Sequence, residues 1–597
     1  MNHLLVTRMK QDDKKAIQEP TISGLGLEAV RSTLHLPAAD WAFPAVGLAV
    51  GLGLGFVESV LVLRPMLESF GGEGVLALYL PVLFAYSLFG SAIDLFLQRV
   101  WLARGLDAPA WVVGGAVLGV IAFFGLYIGL PPFVLGGAMC FVMLWAWVAL
   151  KLRWLGAASL AWAVIPMAQG SKGQMVPPTE AIGQGGDIVL VVFDAFRWDH
   201  SSAYGYERAT TPHMEALAAQ GERFERAYAA APWTLPSHVS LFTGRMPAEH
   251  GAHNEHMRFD LSWPTLAESL GEAGYETVGF SASPFTGHGP GTARGFQGFS
   301  DYWRAFTIQE STFGWRIWTR LLAPDRDKGG RQIVRDLEAY LGGRTSERPL
   351  FLFINLMETH APYQAVPLDD RGAFSAESVS RLEQAGVACE LAQVFNTSVD
   401  DEDRSVCIDL LDGAYRAADT LLGEILALVP EDGLVVVTAG HGDELGEQGR
   451  YGHSTGLRET VLRVPLILAG PGVSAGSSEP LPVSLLDIAP TLLTYAGLEP
   501  RGLPGRDLLA PTDAAPLVRA EHWRTEFTTA GWRLANPNRE YPVEQGRAAA
   551  VIGERFKRVV GETGLDQGFD LVSDPQEKLP FTGSATDLPL WLPAVDE

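Results

Sequence analysis

The chain opens polar, turns almost wholly apolar from about Phe43 to Ala168, and then alternates short apolar runs with amphipathic stretches to its end. Five apolar runs fill the first region, near Phe43 to Leu63, Val75 to Leu97, Ala110 to Leu130, Phe133 to Leu150 and Trp154 to Ala168. A bilayer core takes roughly 20 apolar residues of helix, so the first three runs are long enough to span and the last two are short. This pattern predicts an all-α transmembrane region of about five helices over 41–169, behind a cytoplasmic tail over 1–40. Basic residues set its orientation: Arg8, Lys10, Lys14, Lys15 and Arg31 precede run one, Arg99 and Arg104 follow run two, and Lys151 and Arg153 separate runs four and five. The opposite loops carry only Arg64. Lysine and arginine beside membrane helices stay cytoplasmic, which puts everything after about Gly170 outside the cytoplasm. Run five, short and interrupted by Pro166, is the hinge of that orientation; lying in the interface, it would reverse the side. The tail lacks the apolar stretch and cleavage site of a signal peptide, so the chain is expected to stay anchored.

After a linker over 170–186 the periodicity changes. Asp187-Ile-Val-Leu-Val-Val-Phe-Asp194 is a continuous apolar run ending in an acid, the pattern of a strand buried on both faces of a parallel sheet. It recurs at Pro349 to His360 and at Gly433 to His441, and a fourth apolar run spans Val464 to Pro471. Between them, Thr211 to Gln220, Pro264 to Ala273 and Gly413 to Leu428 carry apolar residues at helical spacing. Strand alternating with helix predicts an α/β fold, a doubly wound and mostly parallel sheet with helices on both faces. Acids and histidines at the strand ends then stand where such folds place their chemistry.

Charge and cysteines refine this picture. A net charge of −24 over 597 residues argues against a nucleic-acid partner, which calls for clustered Lys and Arg. Glu58 and Asp94 lie near the ends of their apolar runs, where interfacial placement competes with polar helix contacts or lipid head-group binding. Cys140 falls in run four, whereas Cys389 and Cys407 flank an acidic insertion of the outer domain. In an oxidising compartment those two could pair, though spacing alone does not bring their Cα atoms together.

From residue 187 to about 580 the chain resembles the alkaline phosphatase superfamily, in its sulfatase-like branch. The segments that carry the resemblance are Val191 to His200 with Tyr204-Gly205-Tyr206, Thr234-Leu-Pro-Ser-His238 with Thr243-Gly244, Gly274 to Thr277 and Glu358-Thr-His-Ala-Pro-Tyr363. They continue with Thr438 to Gly446, Tyr451-Gly452-His453, Val464-Pro465, Gly470-Pro471-Gly472, Val483 to Thr491 and Phe569 to Glu577. The resemblance implies a catalytic domain over 187–510 and a small antiparallel C-terminal subdomain over 511–597. It also implies one divalent metal ion, held by Asp194, Thr234 and His441. Oxygen and imidazole ligands suit Mn, Mg, Ca or Zn.

Thr234 stands where a sulfatase carries the cysteine or serine that becomes formylglycine. That aldehyde is made at an unsubstituted β-carbon, and threonine's methyl group forbids it. An unmodified hydroxyl can still attack phosphorus when a metal lowers its pKa. Two residues depart from the family pattern. Ala195 replaces a second acid, and Gly440 replaces the aspartate that precedes His441 and normally ligates. Either Asp443 or Glu444 substitutes, or the metal is weakly held, or the site is dead; a Gly440→Asp change is expected to raise metal affinity. His238, where the sulfatase motif has arginine, would donate to anionic oxygens or orient the nucleophile. His360 and His453 match positions that face substrate, and an imidazole titrating near neutrality can protonate a leaving group. Arg197 and Asp199 read as a structural pair, and His213, His250, His253, His256 and His288 as surface or loop residues.

The function implied is a membrane-anchored, metal-dependent phosphotransferase or phosphodiesterase with a threonine nucleophile. Its layout resembles the lipoteichoic acid synthases and phosphoethanolamine transferases of bacterial envelopes, with a membrane lipid or an envelope glycan or phospholipid as substrate. The alternative is a catalytically impaired envelope scaffold, motivated by Gly440; a true sulfatase is a third reading that Thr234 opposes.

Overall fold

The computed structural model describes residues 185–253, 262–302, 327–395, 399–430, 432–454, 456–500, 502–511, 517–523, 547–562 and 564–589. The tail, the five apolar runs with Glu58, Asp94 and Cys140, most of the linker, and His256 lie outside these residues. Among the described residues no helix is long and apolar enough to cross a membrane.

Strands β1 (Ile188–Phe193), β2 (Glu222–Tyr228), β3 (Glu276–Ser281), β4 (Gly298–Asp301), β5 (Leu350–Leu356), β6 (Leu434–Ala439) and β11 (Ser477–Ser484) run parallel in one central sheet, joined by β9 (Arg463–Val464) and β10 (Leu466–Ala469). The order is β11-β2-β10-β6-β1-β5-β3-β4, with β9 paired to β2. Between β6 and β9, β7 (Glu444–Leu445) and β8 (Tyr451–Gly452) form a separate antiparallel pair. β1 is central, in register with β5 from Ile188↔Phe351 and with β6 from Ile188↔Leu434. Every residue of β1, β5 and β6 is buried, as their unbroken apolar runs require. Each such Val, Leu, Ile or Phe contributes about 1.5–3 kcal/mol when taken from water.

The fourth apolar run is the exception to parallel order. β10 lies antiparallel to both β6 and β2. No long crossover helix separates it from β6, and parallel return demands one. The chain instead comes back through the β7–β8 pair and the short helix Glu459–Leu462.

The longer helices are α1 (Pro212–Gln220), α2 (Thr234–Thr243), α3 (Leu266–Glu272), α4 (Gly330–Gly343), α5 (Val379–Phe395), α6 (Asp401–Leu428) and α7 (Ile488–Tyr495). They form two groups, α1, α4 and α5 packing on α6, and α2, α3 and α7 packing on one another. The helical pattern read from Gly413 begins about three turns earlier, where Asp400 caps α6 by accepting from the Asp403 N–H. Cys389 of α5 and Cys407 of α6 are disulfide-bonded, with Cα atoms 6.1 Å apart.

A five-stranded antiparallel sheet, β12 (Val518–Trp523), β13 (Arg547–Ile552), β14 (Phe556–Gly561), β15 (Asp566–Asp570) and β16 (Phe581–Thr582), closes the chain. Two buried contacts fasten it to the central domain. On β14, Lys557 is wholly buried, 2.8 Å from Glu577 and 3.2 Å from Glu459. On β12, the Glu521 N–H donates to Ala230 O and its carboxylate accepts from Ala248 N at 2.7 Å, one contact before α2 and one after it.

Burial pushes Glu521 up from 4.5 to about 8, against a smaller opposing effect of the Ala248 N–H. A carboxyl raised in the folded state contributes stability that is full below its unfolded pKa and is lost as pH rises through the folded one. Glu521→Gln should therefore flatten the decline in unfolding free energy between about pH 5 and about pH 9, measured by denaturant titration. An unchanged slope would show that Glu521 is not the group responsible.

Candidate active site

Three adjacent strands deliver the candidate residues at one edge of the sheet. β1 ends at Asp194, β5 leads into Glu358-Thr-His360, and β6 leads into Gly440-His441. Backbone hydrogen bonds hold these ends level: Asp194 N to Leu356 O at 2.9 Å, Gly440 N to Phe193 O at 2.9 Å, and Phe196 N to His441 O at 2.8 Å. The Thr359 hydroxyl donates to the Asp194 carbonyl. Ala195 takes φ 56°, a left-handed conformation that costs a non-glycine residue on the order of 1 kcal/mol or more. The strand therefore turns sharply just after its acid.

Thr234 is the first residue of α2. Trp233 before it is extended at φ −161°, and Gly244 ends the helix at φ 63°, where glycine carries no steric cost. All ten residues between are buried, so α2 is a rigid internal support. Thr234 Oγ1 lies 3.1 Å from Asp194 Oδ1 and 3.1 Å from His441 Nε2. His441 Nε2 is itself 3.3 Å from Asp194 Oδ1. The His441 Nδ1–H donates to Gly442 O at 2.8 Å, which turns the Nε2 lone pair towards the cluster. Asp194 Oδ2 is buried with no hydrogen-bond partner among the described residues.

Two more histidines rim this cluster. The His453 ring lies 4.4 Å from that of His441 and 5.0 Å from that of His360. Asp443 Oδ1 is 3.3 Å from His453 Nδ1, while Asp443 Oδ2 accepts from Tyr363 at 2.6 Å and from Gln393 of α5 at 2.9 Å. Gln393 lies one helical turn beyond Cys389, so the disulfide ties this support to α6. The His360 Nδ1–H donates to Ala361 O at 2.7 Å, and the buried Lys328 ammonium donates to the carbonyls of Glu358 and His360. The imidazole face of His453 remains about a fifth exposed, at 21%, and so is reachable.

The electrostatics divide these groups. Burial raises Asp194, but the hydrogen bond and charge of His441, with His360 and His238, outweigh it and hold the carboxylate well below its usual range. Burial, reinforced by His453, pushes His360 down to about 4, so it is neutral at pH 7. Burial also lowers His453, yet its contact with Asp443 prevails and its pKa is raised. Two adjacent imidazoles are thus shifted in opposite directions by their surroundings.

The sulfatase family pattern matches residues 187–498. The chain belongs to the sulfatase family. Among its relatives is the choline-sulfatase of Rhizobium meliloti strain 1021, 26% identical over 61% of this chain and 76% of the relative. The arylsulfatase K of Bos taurus is 25% identical over 75% of this chain and 86% of its own. The phosphonate monoester hydrolase of Agrobacterium radiobacter shares the fold with a TM-score of 0.52 at 21% identity, covering 66% of this chain and 91% of the other. Sulfatase-family enzymes in general use a divalent metal ion.

The donors fit such an ion in kind: a carboxylate with an unpartnered buried oxygen, an inward imidazole lone pair and a hydroxyl meet at hydrogen-bonding distance. They are few, since among the described residues no group of three or more His, Cys, Asp and Glu side chains forms a metal cluster. Asp443 does not fill the place of the missing acid, because both its oxygens serve Tyr363, Gln393 and His453.

Of the sequence-predicted residues, Asp194, Thr234 and His441 meet directly, with His360 and His453 beside them. His238 lies behind Thr234, fully buried, its ring nitrogens engaged by Thr234 O at 2.8 Å and Asn355 at 3.2 Å. Donation to a substrate oxygen is closed to it, which leaves the orienting role. Arg197 pairs with Asp199 at 2.8 Å as read, and also with Glu447. His250 and His253 are not surface residues: His250 is buried against Ser240, 3.0 Å away, and His253 stacks on Trp523. His213 and His288 are half exposed and pair with Asp419 and Asp301. Tyr363 falls within the Glu358–Tyr363 motif and Asn355 within the Pro349 to His360 run, but no local pattern marks Asn355, Gln393 or Lys328 as supports of the site, because their partners are distant in sequence.

Asp443→Asn should lower the His453 titration midpoint, followed by NMR of the imidazole protons. An unmoved midpoint would mean that the 3.3 Å contact does not set its protonation.

Proposed function

We propose that the chain is a membrane-anchored hydrolase or transferase that cleaves a phosphoester through Thr234. The observation that carries this is the placement of Thr234 Oγ1 at 3.1 Å from both Asp194 Oδ1 and His441 Nε2, at the first residue of α2. A helix N-terminus favours an anionic group at that point. A divalent ion held by Asp194, Thr234 and His441 would supply Lewis-acid stabilisation of phosphoryl oxygens and lower the threonine pKa.

The remaining steps belong to the chain's own side chains. The Thr234 hydroxyl gives up its proton into the Asp194–His441 pair, and its oxygen forms a bond to phosphorus as the ester oxygen departs. His453, whose protonated form Asp443 favours, gives the leaving oxygen its proton. His360, neutral and anchored through Nδ1–H, offers Nε2 to the water or acceptor hydroxyl that next attacks the phosphothreonine. That attack breaks the Thr234 ester and returns the hydroxyl.

The reading extends to place and substrate. The five apolar runs and their flanking Lys and Arg favour an anchor with the catalytic domain outside the cytoplasm, and the Cys389–Cys407 disulfide supports an oxidising compartment. A membrane lipid or an envelope glycan or phospholipid would then lie within reach. A second reading, an envelope scaffold without turnover, is favoured by the single missing donor at Gly440. Sulfate-ester chemistry, found in the names of the relatives, would need a formylglycine that Thr234 cannot become.

Thr234→Ala should lower hydrolysis of an aryl phosphodiester by at least on the order of 10³-fold, with Thr234→Ser retaining part of it. Turnover that survives Thr234→Ala sinks the nucleophile assignment. Absence of turnover together with absence of bound metal favours the scaffold, and robust arylsulfatase activity defeats the phosphoester reading.

A further inference from the structure

Gly440 is not required by its backbone. It is not among the glycines with left-handed torsions, so other residues could adopt its conformation. What excludes them is a side chain from another element. A β-carbon at 440 would lie 2.7 Å from His238 Cε1 and 3.2 Å from His238 Nδ1. The ring cannot easily retreat. Its Nδ1–H donates to Thr234 O, its Nε2 accepts from Asn355 on β5, and Phe353 meets it edge-on with ring centres 6.4 Å apart. Core packing of this kind resists even one added carbon.

We propose that His238 and Gly440 form a reciprocal pair, in which the imidazole occupies the space of a side chain at 440 and thereby fixes the cation site at the donors Asp194, Thr234 and His441. The site accommodates an imidazole at 238 or a carboxylate at 440, not both. It follows that Gly440→Asp alone should not raise metal affinity, because its β-carbon would meet the ring. A cation held by Asp194, Thr234 and His441 alone would need further oxygen donors from water or substrate, as suits ions that keep part of their hydration shell. The cation half rests on the reading under Proposed function; the packing half does not.

A double-mutant cycle on the full-length protein tests the packing half. Gly440→Ala should lower Tm by roughly 2–6 °C in the natural background and by less than about 1 °C alongside His238→Ala. Equal shifts in the two backgrounds overturn the pair. Calorimetric titration with Mn²⁺ tests the cation half, with circular dichroism confirming that each variant is folded. Gly440→Asp combined with His238→Gly should bind Mn²⁺ at least about tenfold more tightly than the natural chain, a difference of about 1.4 kcal/mol, while Gly440→Asp alone should not. An equal gain from Gly440→Asp alone overturns the proposal. Absence of Mn²⁺ binding by every variant removes the cation half along with the metal reading beneath it, and the Tm cycle still decides the pair.

Discussion

Everything at the candidate site depends on β1 being hydrogen-bonded on both sides, to β5 and to β6, three strands buried along their whole length. In-register pairing makes the three strands end at one level, so that loops leaving them converge on one small volume. Residues far apart in sequence thereby become neighbours without any local signal between them. The burial that fixes the register also removes water from the ends, which strengthens each interaction there and penalises any unpaired charge. Asp194 is held in its ionised form in such surroundings chiefly by His441.

The central strands were legible because a strand buried on both faces must be apolar throughout. The antiparallel course of β10 was not, since an apolar run has no direction; the lack of a crossover helix decided it. Motif order pointed to Asp194, Thr234, His441, His360 and His453, which the fold brings together. It did not reveal Asn355, Gln393 or Lys328, which matter only through partners brought in by the fold. Nor did it distinguish the buried His250 from the half-exposed His213, because a histidine's neighbours in sequence do not report its packing.

His360 and His453 illustrate how like residues acquire different characters. Both face the same space, but one is anchored to a backbone carbonyl and the other is held by a carboxylate with two further partners. The difference originates in burial and in Asp443, on the loop after β6. Gln393 of α5, a helix tied to α6 by a covalent bond, helps to hold that carboxylate in place.

The attachment of β12 to the segment ahead of α2 has a consequence for how this protein could be dismantled or recombined. Because Glu521 bonds to Ala230 and Ala248, and Lys557 lies between Glu459 and Glu577, the last strands are an internal wall of the catalytic unit rather than an appendage. Cutting the chain ahead of residue 517 would strip Glu459 of Lys557 and leave Ala230 and Ala248, on either side of α2, without their Glu521 partner. A grafted catalytic domain must therefore bring its own C-terminal sheet, and exchange between relatives should cut where no buried charge crosses the joint.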